Sequence, residues 1–298
     1  MFEIIKIRTL RLVLRMLARI AWIGKVPRNL AVVTTHIQGP ESPISIRIYT
    51  PLGSGPFPMI VFYHGGGFVI GDIESHDPLC RELCVKSRRV VVSVDYRLAP
   101  EFPFPAAPMD CFAALQWVAE HADELQGNKL EIVVAGDSAG GNLAAVTALQ
   151  ARKKLPGLLQ GQILLSPVTN HYQSVTDSYI QNATGQGLTR KSMIWFWDLY
   201  LRNSPLMKAG ETTHELATPL TEDDLSDLPP AFVLTAEKDP LLDEGNAYAE
   251  RLARHGVEVH HTIYQGVQHS PVGLVPNINH RNGMAEIIAW LQRLPQRY

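Results

Sequence analysis

The pentapeptide Gly136-Asp137-Ser138-Ala139-Gly140 constrains the fold of this chain more than any other segment. It follows a short apolar run at 131–135, which predicts a buried strand, and it precedes a helical pattern over 142–154. A strand, a sharp turn with small residues on both sides of a serine, and a helix together expose the serine hydroxyl at the edge of a sheet. The pattern predicts that Ser138 is a nucleophile.

A second glycine-rich motif, His64-Gly65-Gly66-Gly67, follows another buried strand predicted over 59–63. Composition alone produces a G-x-S-x-G pattern in about one chain of ten, but an H-G-G-G run in roughly one of several hundred. Glycines leave backbone N–H groups uncovered, so that a substrate oxygen can approach them closely. The alternative is a flexible glycine turn. Because the motif follows a strand, we interpret it as an oxyanion loop.

These two motifs and the segment Asp95-Tyr96-Arg97-Leu98-Ala99-Pro100-Glu101 resemble the hormone-sensitive-lipase-like branch of the α/β-hydrolase carboxylesterases. The stretches 102–107 and 239–245 also match the pattern of that branch, so the resemblance covers almost the whole chain. It implies an α/β-hydrolase fold, N-terminal helices that form part of a cap, and a homodimer, as in many relatives.

The serine needs a general base, and we predict His269 for this role. It follows a strand predicted over 257–264 through a short loop, 265–268, which places it within reach of the serine. Relatives usually carry Gly-Phe after this histidine, whereas this chain carries Ser270-Pro271. This departure from the family pattern affects what we expect of the substrate more than what we expect of the reaction. We expect the neighbouring histidines to be strand, surface or structural residues: His255, His260, His261 and His280.

The third member of the site should be a carboxylate after the strand predicted at 231–236. Three residues qualify on position alone, namely Glu237, Asp239 and Asp243. The resemblance favours Asp239, because Asp239-Pro240-Leu241 matches the family pattern. The resulting chain order of serine, aspartate and histidine is the order of the α/β-hydrolases.

These residues predict a serine carboxylesterase acting on short to medium acyl esters through an acyl-enzyme. Ala139 lies at the start of the helix that follows Ser138, and its backbone N–H is a predicted oxyanion donor. The resemblance adds the backbone N–H groups of Gly66 and Gly67. The mechanism requires neither a metal nor an organic cofactor. An amidase or deacetylase with the same triad, and a non-catalytic binding protein on the same scaffold, are the alternatives.

Strand patterns alternate with helical patterns along the chain, which predicts an α/β fold with a mostly parallel sheet and helices on both faces. Two early strands lack a helix between them, and we expect them to form an antiparallel edge. The predicted strands cover 44–49, 59–63, 90–94, 131–136, 162–166, 231–236 and 257–264.

We divide the chain into N-terminal cap helices at 1–35, a catalytic domain at 36–174 and 216–298, and a cap insertion at 175–215. The insertion contains an aromatic helical run at 193–201, which is suited to lining an apolar pocket.

Residues 2–22 combine apolar residues with five Lys and Arg residues, which makes this segment too charged to span a bilayer. It could lie on a bilayer as a basic amphipathic helix. We expect instead that its apolar face packs on the protein, so no membrane partner is predicted. We also expect Asp95, Arg97 and Glu101 to form a buried ion-pair network.

The net charge of −2 excludes a strong global field for nucleic acids and favours a small uncharged substrate. The three cysteines are an odd number without a disulfide pattern, which indicates buried thiols and a cytoplasmic location: Cys80, Cys84 and Cys111. Asp72, His76 and Asp77 are too few and too close to a predicted helix start for a metal site, and helix-capping roles fit them better.

Overall fold

The computed structural model describes residues 2–185, 187–208, 210–273 and 275–297. Within these ranges, eight strands form one sheet in the order β1-β2-β4-β3-β5-β6-β7-β8. The strands are β1 (Leu30–Ile37), β2 (Ile44–Pro51), β3 (Phe57–Tyr63), β4 (Val90–Asp95), β5 (Gly127–Asp137), β6 (Leu159–Leu165), β7 (Ala231–Lys238) and β8 (Val259–Gln268). The α-helices are α1 (Phe2–Ala21), α2 (Ile73–Ser87), α3 (Ala106–Glu120), α4 (Ala139–Lys154), α5 (Asp177–Gln181), α6 (Arg190–Leu201), α7 (Leu242–Arg254) and α8 (Ile278–Arg293).

The antiparallel part of the sheet differs from the prediction. Strand β2 pairs antiparallel with β1 and with β4, whereas β3 lies between β4 and β5 and is parallel to both. The predicted pairing of 44–49 with 59–63 is therefore wrong. The partner at the edge is β1, which falls largely within the segment 1–35 that we assigned to cap helices. Half of its eight residues are exposed and only Ile37 is buried, so β1 lacks the burial on both faces that marks the central strands.

Alternating side chains of the central strands build two hydrophobic layers. Ile60 and Phe62 of β3 face the layer covered by α2 and α8, and Val61 and Tyr63 face the layer covered by α3, α4 and α7. Every one of these four side chains is fully buried. Burial of both faces is typical of a parallel sheet flanked by helices, as predicted.

The parallel strands place the predicted site residues at one edge of the sheet. The glycine-rich loop follows β3, Ser138 follows β5, Asp239 follows β7 and His269 follows β8. Strand β8 extends to Gln268, so His269 comes directly after a strand and not after a loop at 265–268. Because parallel strands end at the same edge, these four segments meet there.

Helix α1 is oriented differently from the expectation. Ile5, Leu12, Met16 and Ile20 are each more than half exposed, whereas Arg11, Arg15 and Arg19 form ion pairs with the body of the protein. The prediction that the apolar face packs inward is wrong for most of the helix, because only a narrow seam of its described residues, which includes Ile7 and Ala18, is buried and the arginines hold the helix through their ion pairs. No helix in the described ranges is both long and apolar enough to cross a membrane.

The ion pairs behind the glycine-rich loop also differ from the predicted network. Arg97 donates to both carboxylate oxygens of Asp110, at 2.9 and 2.8 Å, and Glu101 accepts from Arg11. Burial raises the pKa of Asp95 to about 6, and the nearby Asp72 carboxylate adds to this shift. The predicted three-residue network is therefore wrong, since each arginine binds an acid from a different element.

Candidate active site

Ser138 occupies a sharp turn between β5 and α4. Its backbone adopts φ 55° and ψ −118°, a region that non-glycine residues rarely occupy. The Ser138 N–H donates to the carbonyl of Leu165, and the Ser138 carbonyl accepts from the N–H of Val168. The turn also needs Gly140, because a Cβ atom there would lie 1.9 Å from the carbonyl oxygen of Tyr63. The local sequence thus fixes the serine in a strained and closely packed turn.

A continuous hydrogen-bonded chain connects the three predicted catalytic side chains. The Oγ atom of Ser138 lies 2.9 Å from Nε2 of His269, and Nδ1 of His269 lies 2.6 Å from Oδ2 of Asp239. The other carboxylate oxygen of Asp239 accepts the N–H of Leu241 at 3.0 Å. Asp239 is fully buried, so both of its oxygens are held in place.

The electrostatic environment favours the charged form of His269. Burial by itself lowers the pKa of this imidazole, but the adjacent Asp239 carboxylate outweighs burial and raises the pKa above its ordinary value of 6.5. An imidazolium formed during proton transfer would therefore be stabilised in place.

The other candidate acids lie in different hydrogen bonds. Glu237 accepts the N–H of Gly266 at 2.5 Å, and Asp243 accepts the N–H of Ser178 at 2.7 Å. Both carboxylates are therefore engaged elsewhere, and of the three candidate acids it is Asp239 that binds His269.

The remaining candidate histidines have structural contacts. His261 contacts the hydroxyl of Thr235, and His260 stacks on Phe232. His255 ends α7 with its ring on the carbonyl of Arg251. His280 is fully buried and contacts Glu82 at 2.8 Å. These positions agree with the strand and structural roles expected for them.

The glycine-rich loop borders the same cavity as Ser138. Gly66 has φ 125°, and a Cβ atom there would lie 2.1 Å from the carbonyl oxygen of Ile70. No described residue accepts a hydrogen bond from the amide N–H of Gly66 or Gly67. Ala139 is the first residue of α4, so its N–H has no acceptor within the helix. These three N–H groups are available to a bound oxygen.

A buried polar cluster behind the loop was not identified from the sequence as part of the site. Asp137 accepts the N–H of Gly65 at 2.9 Å, and the same oxygen lies 3.3 Å from Nε2 of His76. Burial disfavours charge on both groups, but their mutual attraction raises the pKa of His76 and lowers the pKa of Asp137. This hydrogen bond from Gly65 to Asp137 fixes the start of the glycine-rich loop. The spacing of 61 residues between His76 and Asp137 gave no signal of their contact.

A second buried carboxyl lies close to the predicted acid. Glu244 accepts the N–H groups of Thr169 and Asn170, at 2.7 and 3.2 Å. Burial raises the pKa of Glu244 to about 8, and the nearby Asp239 charge adds to this shift. Burial thus favours the protonated form of Glu244, which reduces the negative charge next to Asp239. Its presence in the family-like segment 239–245 was the available sequence signal.

The cavity next to Ser138 has a volume of about 760 Å³. Leu14 of α1, and Leu188 and Phe196 from the segment 175–215, line it, and the ring of Phe196 packs against Gly67 of the loop. Of the aromatic run in α6, Phe196 borders the cavity, whereas Trp197 is buried against Phe68. Both segments that we assigned to a cap thus contribute to one apolar wall.

The acidic side chains considered for metal binding have other partners. Asp72 caps α2 by accepting the N–H of Ser75 at 2.7 Å and also pairs with Arg15, which agrees with the expected capping role. Asp77 binds Arg47 and Arg81. No cluster of three potential metal ligands occurs among the described residues. The three cysteines are buried free thiols, as expected.

Comparisons with known proteins identify relatives of this chain. A family model described as alpha/beta hydrolase fold matches residues 60–272. Esterase LipI of Mycobacterium tuberculosis is 42% identical over 253 residues, which cover 82% of this chain and 76% of that protein. Carboxylesterase NlhH of the same organism is 45% identical over 219 residues, which cover 72% of this chain and 67% of that protein.

The solved structure of an esterase from Pyrobaculum calidifontis matches with a TM-score of 0.90 and 40% identity, covering 96% of this chain and 93% of that chain. The predicted α/β-hydrolase fold is confirmed by these matches. The chain belongs to the hormone-sensitive-lipase-like carboxylesterases of the α/β-hydrolase superfamily.

Proposed function

We propose that this carboxylesterase hydrolyses short to medium acyl esters through an acyl-enzyme formed on Ser138. The observation that supports it best is the unbroken chain of contacts from the serine hydroxyl through His269 to Asp239. In the first step, Nε2 of His269 accepts the hydroxyl proton while Oγ attacks the ester carbonyl carbon. Asp239 holds the imidazole in the tautomer that presents an unprotonated Nε2.

The negative charge of the tetrahedral intermediate is placed on the former carbonyl oxygen. We assign its stabilisation to the amide N–H groups of Gly66, Gly67 and Ala139, since all three are available as donors beside the serine. Donors that are fixed before the reaction need no reorganisation as charge develops, and each contributes on the order of 10²–10³ in rate. The hydrogen bond from the Gly65 N–H to the Asp137 carboxylate supports this preorganisation.

Collapse of the intermediate releases the alcohol, which takes its proton from His269. Water then attacks the acyl carbon while the same imidazole accepts a proton from it, and the acid leaves as Ser138 Oγ is reprotonated. Each proton moves between substrate, water and one histidine, so this chain's own residues suffice for the cycle.

The acyl preference is inferred from the cavity. A volume of about 760 Å³ suits a small-molecule substrate, and its wall of Leu14, Leu188 and Phe196 favours apolar groups. These features support acyl chains of intermediate length in preference to long triglyceride chains.

The test is the hydrolysis of a series of p-nitrophenyl esters from acetyl to palmitoyl, with an aryl amide included. We expect kcat/KM to peak between butyryl and octanoyl and to fall on the order of 10⁴-fold or more in Ser138→Ala and His269→Ala. His260→Ala is the matched control, since it removes a histidine outside the site. Turnover that persists in Ser138→Ala would contradict the proposal, and a folded wild-type protein without turnover would indicate the binding scaffold.

A further inference from the structure

Helix α1 presents its apolar side to solvent, which is the reverse of an ordinary surface helix. Five large side chains on this outer face are each more than half exposed: Ile5, Leu12, Met16, Leu17 and Ile20. Ile23, just after the helix, is 73% exposed. We call this set of six residues the outer face of α1. Single exposed apolar residues are common, but a continuous apolar helix face is typical of an interaction surface.

The orientation is fixed by ion pairs along one flank of the helix. Arg11 donates two hydrogen bonds of 2.9 Å to the two carboxylate oxygens of Glu101, and its Nε donates to the carbonyl of Val69 at 2.8 Å. Arg15 pairs with Asp72, and Arg19 pairs with Glu74 at 3.0 Å. Three arginines spaced four residues apart thus hold one side of α1 against the protein.

A narrow apolar seam completes the inner side. Ile7 and Ala18 are buried, and Leu14 between them reaches the cavity beside Ser138. Helix α1 therefore separates the cavity from its own outer face, and a rotation that buried the outer face would break both the seam and the arginine contacts.

The segment that carries the outer face is strongly basic, although Glu74 and Asp77 lie near its C-terminal end at Ile23 and Arg28. Residues 2–28 contain seven Lys and Arg residues against a single acidic residue, Glu3. Three of the seven are the arginines already paired with the body. The other four are exposed and make no ion pair with any described residue: Lys6, Arg8, Lys25 and Arg28.

We propose that the outer face of α1 docks on an anionic lipid surface, with its apolar side chains in the interfacial region and the four unpaired cations at the headgroups. An amphipathic basic helix lying in the plane of a bilayer has this arrangement. A second copy of the chain fits less well, because a symmetric contact brings like charges together. Docking also places the wall of the cavity next to the phase in which apolar esters concentrate.

The probe is a set of large unilamellar vesicles, one of pure phosphatidylcholine and one with about a quarter phosphatidylglycerol. The full chain is incubated with each and its bound fraction is measured by flotation. We expect binding to the anionic vesicles that weakens with added salt and is at least tenfold weaker on pure phosphatidylcholine. The measurement does not involve turnover, so it is independent of the role assigned to Ser138.

Two pairs of substitutions separate this face from general surface hydrophobicity. Met16→Gln with Ile20→Gln changes the outer face, and Leu52→Gln with Leu130→Gln changes two exposed leucines elsewhere. Glutamine preserves helix propensity, so the α1 variant should fold, which circular dichroism checks. We expect the α1 pair to lower the vesicle partition coefficient about tenfold or more and the control pair to leave it unchanged.

A charge variant tests the electrostatic part. Lys6→Gln with Arg8→Gln should weaken binding to anionic vesicles about fivefold per charge and leave binding to neutral vesicles unaltered. Absence of binding by the wild-type chain, or equal losses in the α1 and control pairs, would overturn the proposal. Sedimentation equilibrium tests for self-association. If the wild-type chain is a dimer and Met16→Gln with Ile20→Gln dissociates it, the outer face binds a second copy of the chain instead of a lipid surface.

Discussion

The backbone around Ser138 and helix α1 border the same cavity, but they are held in place by different kinds of contact. Around Ser138 the close approaches are between backbone atoms, as at Gly140 and the carbonyl of Tyr63. Helix α1 is held chiefly by long arginine side chains whose acidic partners lie 55 to 90 residues away in sequence. The first arrangement tolerates almost no added atom, whereas the second can lose one contact at modest cost.

Substitution of the acid should have the largest effect on activity. Asp239→Asn removes the carboxylate that fixes the tautomer of His269, and we expect kcat to fall on the order of 10³–10⁴. Glu237→Gln and Asp243→Asn are the matched controls, because these acids bind backbone N–H groups elsewhere, and they should keep kcat within about a factor of three. Steady-state kinetics on a p-nitrophenyl ester distinguishes the three. A larger loss in either control would move the acid role away from Asp239.

A single methyl group in the serine turn should affect both activity and stability. Gly140→Ala places Cβ against the carbonyl oxygen of Tyr63, so we expect a loss of about 3 kcal/mol in the free energy of unfolding. Displacement of the oxyanion loop should also lower kcat/KM on the order of 10²-fold. Gly157→Ala is the control, because its Cβ meets no atom within 4 Å, and it should cost only about 1 kcal/mol for its positive φ. Urea denaturation and ester kinetics measure both, and unchanged kinetics in Gly140→Ala would contradict the close packing.

The pH dependence follows from the raised pKa of His269. Because the neutral imidazole accepts the proton, kcat/KM should fall about tenfold per pH unit below a midpoint that lies above 6.5. The contribution of the imidazolium–Asp239 pair to the free energy of unfolding changes with pH in the opposite direction to kcat/KM. It is fully present below the unfolded pKa of about 6.5 and is lost as the pH rises through the folded pKa. A pH–rate profile, together with the melting temperatures of the wild type and His269→Gln across the same range, measures both. A kinetic midpoint below 6.5 would show that Asp239 does not raise this pKa.

Loss of one arginine contact on α1 should have the smallest effect. Glu101→Gln removes the charge that binds Arg11, and for a partly buried bidentate pair we expect a cost of about 1 kcal/mol with kcat unchanged. Glu250→Gln is the control, because its pair with Arg254 is 3.8 Å long and both side chains are largely exposed. The two variants are compared by denaturation and by hydrogen exchange of the α1 amides. Equal changes in the two variants would mean that Glu101 does not hold the helix.

This difference in contacts also determines what could be predicted from the sequence. The glycines and the strand before Ser138 are neighbours in the chain, so their pattern predicted the turn directly. The orientation of α1 could not be predicted in this way, because the sequence of residues 2–22 alone does not show which side of the helix faces the protein. The orientation of the helix is determined by its ion pairs with Asp72, Glu74 and Glu101. Only the folded chain brings these acids close to the arginines.

Long-range partners explain the other differences as well. The sequence presented three acids near residue 239, and their separate hydrogen bonds became visible only with the end of β8 and helix α5 in place. Strand β1 was missed although residues 30–33 are apolar, because we assigned this segment to the N-terminal cap helices. The contact between His76 and Asp137 depends on α2 crossing behind the glycine-rich loop, and no spacing rule indicates it.

The role of Ser138 is tested most directly by covalent labelling with a p-nitrophenyl alkylphosphonate. Attack by Oγ on phosphorus expels p-nitrophenolate and leaves a stable phosphonyl-serine. We expect intact-mass spectrometry and peptide mapping to find one adduct per chain, located at Ser138, with loss of ester turnover in proportion to labelling. His269→Ala should label orders of magnitude more slowly, and His260→Ala should label at the rate of the wild type. Full turnover by the labelled protein, or an adduct on a different residue, would contradict the assignment of Ser138 as the nucleophile.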